Sequence, residues 1–122
     1  MRISRRFTRK GQSPYASFPW DRRTSEIRNP DGTVVFHLDN IRVPSHWSQV
    51  ATDVLAQKYF RKAGVPPVDD QGRPLPRSAD EKHESGCESD SRQVFHRLAD
   101  CWRHWGETHN YFDTPEDAQA FY

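Results

Sequence analysis

From residue 24 to residue 43, β-branched and apolar residues flank the run Asn29, Pro30, Asp31, Gly32. Proline presets φ at the second turn position, aspartate bonds its own backbone, and glycine accepts a positive φ, so the run predicts a hairpin turn. The paired strands are expected at residues 25–28 and 33–38. Asp39 and Asn40 suggest a second turn into Ile41, Arg42 and Val43, giving at most a three-stranded meander. Beyond it, Trp47, Val50, Ala51, Val54, Leu55 and Tyr59 recur at spacings of three and four, which predicts an amphipathic helix. Ser45 is its expected N-cap, and Lys62, Gly64, Pro66 and Pro67 form its stop.

A second helix is expected to begin near Ser91, with Val94, Phe95, Leu98, Cys101, Trp102 and Trp105 on one broad face and Gly106 as terminator. Thr114, Pro115, Glu116 and Asp117 predict a third helix start: a hydroxyl cap, proline at the first helical position, and acids against the positive helix end. That helix has no terminator before Tyr122 and reads as interrupted. The expected fold class is therefore α+β, mainly α with a small antiparallel β-hairpin or meander: two main helices plus a truncated third.

The stretches between these elements differ in composition. Residues 1–23 read as a basic extended arm, rich in Arg2, Arg5, Arg6, Arg9 and Lys10, with Phe7, Tyr15, Phe18 and Trp20 available to dock it. Residues 24–66 form the hairpin plus helix. Residues 67–90 read as an acidic, proline-rich linker without a periodic apolar pattern, and residues 91–122 as a truncated helical segment.

Composition narrows the function classes. Apolar residues are 34% of the 122-residue chain and charged residues 29%, and the mean hydropathy is −1.01, so the core is expected to be modest. Lysine plus arginine total 18 against 17 acids, so the chain as a whole carries no large field toward nucleic acid or anionic lipid. No apolar run approaches the roughly 20 residues of a membrane helix, and the expectation is a cytoplasmic protein with no membrane partner.

Candidate chemistry is sparse. His83, Cys87, Cys101 and His104 have metal-ligand character, and Cys101 and His104 would share a helix face, but none forms the closely spaced knuckles of a structural zinc site. A Cys–His nucleophile pair lacks an orienting third residue. The preferred reading makes Cys101 a small buried hydrophobe and the histidines solvated. No catalytic, cofactor-binding or metal-ligating residue is assigned.

Five segments carry a family resemblance: RRFT with GQSPY at residues 5–15, RTSEIRNPDGTVVF at 23–36, VPSHWSQVATDVLAQKYFRKAGVP at 43–66, VFHRLADCWRHWG at 94–106 and YFDTPEDAQAFY at 111–122. In these the chain resembles the N-terminal domain of adenosylcobalamin (vitamin B12)-dependent class II ribonucleoside-diphosphate reductases. Asn110 stands where the family resemblance suggests glycine, a replacement that still tolerates positive φ. The resemblance implies a radical enzyme whose thiyl and redox cysteines lie downstream on an α/β barrel and a C-terminal tail. Cys87 and Cys101 match neither context. It also implies adenosylcobalamin for the full-length enzyme, not bound by this stretch. The implied partners are the remainder of the reductase chain, a ribonucleoside diphosphate substrate, a nucleotide effector and a thiol reductant. The isolated stretch is expected to be inactive and to expose Trp47, Trp102, Trp105, Phe121 and Tyr122 as an apolar patch. The alternative is a free-standing binding module for nucleic acid or protein that uses the basic arm; direct nucleic-acid binding is the less favoured of the two.

Overall fold

The computed structural model of the chain describes residues 1–75 and 86–122. It divides into two compact units, Trp20–Val94 and a second made of Met1–Pro19 with Phe95–Tyr122.

In the unit Trp20–Val94, strands β1 (Trp20–Arg28) and β2 (Val34–Pro44) form a two-stranded antiparallel sheet. The turn between them is the expected one. Asn29 and Gly32 close it through Gly32 N–H donating to the Asn29 carbonyl at 2.9 Å, and Asp31 accepts from the Thr33 amide at 2.8 Å. Gly32 adopts φ +87°, where only glycine is unstrained.

The expected second turn is instead a bulge. Strand β2 runs unbroken through Asp39 and Asn40, pairing Arg23 with Ile41 and Ser25 with Leu38, so two residues of β2 oppose Thr24 alone. Asn40 absorbs the extra residue at φ 55°. Asparagine tolerates this left-handed conformation, so the signal that reads as a turn supports a bulge equally well. The sheet therefore has two strands rather than three.

Beyond the bulge, Ile41 and Val43 alternate into the core and are fully buried, as one face of a strand must. They pack with Leu55, Ala56, Phe60 and Val94, and Phe36, Leu38 and Trp47 flank the cluster. The hairpin tip, with Val34 and Val35, is exposed.

Helix α1 (Gln49–Val54) starts later than expected. Ser48 caps it, its Oγ accepting from the Ala51 amide at 3.1 Å. Ser45 bonds elsewhere, its hydroxyl donating to Asp21 at 2.8 Å. A π-helical turn, Leu55–Tyr59, follows, with the Phe60 amide donating to the Leu55 carbonyl at 3.1 Å.

The face of α1 is also rotated from the expected stripe. Val50, Val54 and Tyr59 are exposed, whereas Thr52 is fully buried. The cause is Arg23. Its Nη1 donates to the Trp47 carbonyl at 2.6 Å and to Thr52 Oγ1 at 3.0 Å, and its Nη2 donates to the Ser45 carbonyl at 3.0 Å and to Asp21 at 3.2 Å. A largely buried guanidinium needs acceptors, and the helix turns its hydroxyl toward it. The extra residue of the π turn then brings Leu55, Ala56 and Phe60 into the core.

The acidic stretch after α1 is held by polar bonds where it is described. Val65 and Gly86 exchange backbone bonds at 3.0 and 2.9 Å, and the Glu88 amide donates to the Arg61 carbonyl at 2.8 Å. A tight turn at Asp69–Arg73 places Gly72 against Asp90 and Arg92, where an added Cβ would lie 2.9 Å from Arg92 Nε. Arg92 forks onto the buried Asp90 carboxylate and stacks over Trp20 at 4.3 Å. Helix α2 (Ser91–Thr108) begins there and runs past Gly106, the expected terminator.

Candidate interaction surface

The unit made of the two chain ends is organised around helix α3 (Pro115–Phe121). The predicted cap is present in full: Thr114 Oγ1 accepts from the Asp117 amide at 3.2 Å, while the Asp117 carboxylate accepts from the Thr114 amide at 3.0 Å. Asp117 also accepts from the Ile3 amide at 2.8 Å. Its hydrogen bonds, from Thr114 first and Ile3 next, hold the carboxyl below the usual aspartate range. The first residues of the chain are tied down in the same way, with the Asp113 amide donating to the Met1 carbonyl at 3.1 Å and the Met1 ammonium pairing with Asp113. Arg5 and Lys10 of the arm add ion pairs to Glu116 at 3.7 and 3.0 Å, whereas Phe7 is 90% exposed and takes no part in the docking.

The end of α2 is set by Asn110, whose φ of 54° makes the left-handed turn expected of it. The Tyr111 amide then donates back to the Gly106 carbonyl at 2.8 Å. Gly106 is buried because Phe112 lies on it; an added Cβ would sit 2.4 Å from that ring. Phe112 in turn meets Phe121 at 5.4 Å between centroids.

One face of α2 remains open to solvent. Phe95, Leu98, Trp102 and Trp105, spaced three, four and three apart, share a helix stripe, and the two tryptophans are 53% and 56% exposed. Phe121 and Tyr122 are also exposed. Of the residues expected to form an apolar patch, Trp102, Trp105, Phe121 and Tyr122 are exposed, whereas Trp47 is half-buried beside the Ile41 core.

The candidate chemical groups do not assemble. Cys87 is half-buried and Cys101 and His104 are exposed; His83 lies outside the described residues. Among the described residues no three His, Cys, Asp or Glu side chains converge as a metal site would require. Cys101 corrects the expectation of a buried hydrophobe: it lies on the open side of α2, which nothing in its own unit covers. Among the described residues, no helix is long and apolar enough to cross a membrane.

Residues 21–122 match the family model described as class II vitamin B12-dependent ribonucleotide reductase. The chain is 54% identical to the vitamin B12-dependent ribonucleotide reductase of Bradyrhizobium diazoefficiens over 137 aligned residues, covering all of this chain and 11% of that protein. It is 55% identical to the enzyme of the same name from Agrobacterium fabrum, over 99% of this chain and 11% of that one, and 35% identical to that of Rhodopirellula baltica, over 92% and 9%. The chain therefore spans about a tenth of the length of these relatives and corresponds to their N-terminal portion. It belongs to the class II vitamin B12-dependent ribonucleotide reductase family.

Proposed function

We propose that this chain is a non-catalytic structural layer of a cytoplasmic, adenosylcobalamin-dependent ribonucleoside-diphosphate reductase, docked through the open face of α2 onto the α/β barrel of the same enzyme. The observation that carries the reading is the Trp102–Trp105 stripe. Two half-exposed tryptophans on one helix face, beside Phe95 and Leu98, form a contiguous apolar surface of the kind that marks an interface. Substrate diphosphate, nucleotide effector and thiol reductant are then handled by the rest of the enzyme.

The cleft lined by Arg5 and Arg9 among the described residues does not suit the cofactor. Its volume of about 320 Å³ is at the small end of the roughly 300–1,000 Å³ that holds drug-sized ligands. A corrinoid is larger than these and largely apolar on its faces. Radical chemistry also needs a shaped pocket that excludes water, and Cys101 stands in solvent. The stretch alone is accordingly inactive.

Cys101 supplies the test, because it lies on the open side of α2. In the native full-length chain its alkylation, followed by peptide mass spectrometry, is expected to be at least about ten-fold slower than in the urea-unfolded chain, since covered sites react only through opening. Equal rates would mean that the stripe stays bare and would overturn the docking reading.

A further inference from the structure

We infer that the cleft between the arm and α3 is a binding site for a small phosphate-bearing anion. Arg5, Thr8, Arg9, Gln12, Ser13 and Tyr122 line it, together with a few neutral neighbours, and none of its lining residues is acidic.

The donors are arranged for an oxyanion. Arg5 is held in the wall by Nη1 donating to Thr8 Oγ1 at 3.0 Å, and it reaches Glu116 only at 3.7 Å. Arg9, by contrast, makes no ion pair or side-chain hydrogen bond among the described residues, so its guanidinium keeps its full fork of donors. Such a fork matches phosphate oxygens in pairs.

The hydroxyls add to this. Thr8 Oγ1 already accepts from Arg5, and Ser13 Oγ accepts from the Tyr15 amide at 3.3 Å. Each retains its own O–H for an incoming acceptor. The turn that carries Arg9 is closed by the Gln12 amide donating to the Arg9 carbonyl at 3.2 Å, with Gly11 at φ +76°. Tyr122 forms a fixed wall, its hydroxyl 2.5 Å from His96 Nδ1 and its ring under Arg103 at 4.6 Å.

The nearby carboxylate does not cancel the field. Glu116 is shared between Lys10 at 3.0 Å and Arg5 at 3.7 Å, so one carboxylate faces three cations and Arg9 is left without an ion pair among the described residues. A volume of about 320 Å³ is larger than a single phosphate fills, which favours a pyrophosphate or a phosphate ester of a small molecule. This site is independent of the docking face on α2.

Calorimetric titration of the full-length chain with inorganic pyrophosphate at low ionic strength tests the assignment. Arg9→Ala is expected to weaken one binding event at least about ten-fold, the loss typical of a charge-assisted bond; Arg9→Lys should retain part of it, with the melting temperature unchanged in both. Glu116→Gln should tighten the same event by removing the competing carboxylate. If pyrophosphate binding is the same in wild type, Arg9→Ala and Glu116→Gln, the assignment fails. A nucleoside monophosphate that binds this event more tightly than pyrophosphate identifies an ester as ligand, and the reverse identifies free polyphosphate. Competition by a single-stranded oligonucleotide whose affinity grows with its length would overturn the small-ligand assignment.

Discussion

The Ile3 amide donates to the Asp117 carboxylate at 2.8 Å, across more than a hundred residues of sequence, and the same carboxylate closes the capping box of α3 with Thr114. Both bonds are stronger to the ionised form. The carboxyl is held below its ordinary value, so its contribution is complete above the usual aspartate pKa of about 3.9 and is lost as pH falls through the lower folded value. Amide exchange at Ile3 should remain slow from neutral pH down to about 4 and then accelerate. Asp117→Asn should show fast exchange at neutral pH and no such step. Thr114→Ala, which removes the hydroxyl half of the box, should cost about 1 kcal/mol of stability.

Gly106→Ala should reverse the usual sign of a helix substitution. In an ordinary helix interior the change stabilises by up to about 1 kcal/mol. Here the new methyl would lie 2.4 Å from the Phe112 ring, an overlap that costs about 1–3 kcal/mol when the neighbour shifts. Chemical denaturation should register a net loss, and Phe112→Leu in the same chain should recover part of it. A Gly106→Ala variant that is more stable than wild type would mean that Phe112 does not rest on the helix.

Local rules made much of this fold legible. The Asn29–Gly32 turn, the Thr114 box and the left-handed Asn110 each depend on a few adjacent residues, and each stands where those residues place it. What sequence spacing could not show depends on distant partners. Arg23 decides which face of α1 is inward, and no period within residues 47–59 contains Arg23. Asp39 and Asn40 carry the same signal for a turn and for a bulge, and the long pairing with β1 decides between them. The anion cleft was equally hidden: its arginines stood out as a basic arm, but only the docking of that arm beside α3 makes a concave site. The exposure of Cys101 escaped for the opposite reason, since an apolar stripe reads as buried whether or not its cover is in the same stretch.

Arg23→Ala should be among the costly single changes in the unit Trp20–Val94. It removes four hydrogen bonds, to Asp21, to Thr52 and to the carbonyls of Ser45 and Trp47. Hydrogen bonds from a charged group contribute about 1.5–3 kcal/mol each in favourable cases, but they are not additive within one group. A total loss of about 3 kcal/mol is expected. Arg23→Lys should rescue little, because an ammonium cannot span the acceptors that the two Nη atoms reach. The denaturation midpoint measures both, and a lysine variant as stable as wild type would show that charge rather than the fork is what matters.

Trp102→Ala with Trp105→Ala separates a docked face from a merely solvated one. Both rings are more than half exposed within the chain itself, so if nothing covers them their removal should leave stability within about 0.5 kcal/mol, as at ordinary surface sites. If the stripe is the seat of the barrel, the same change cuts into a packed interface, where truncating a buried tryptophan costs about 3–5 kcal/mol. The full-length double variant is therefore expected to melt several degrees lower and to show faster amide exchange along α2, with ribonucleotide reduction reduced in parallel. His104→Ala, exposed on the same helix but outside the stripe, should leave all three unchanged. A double variant that behaves like His104→Ala would place the tryptophans in solvent in the whole enzyme as well.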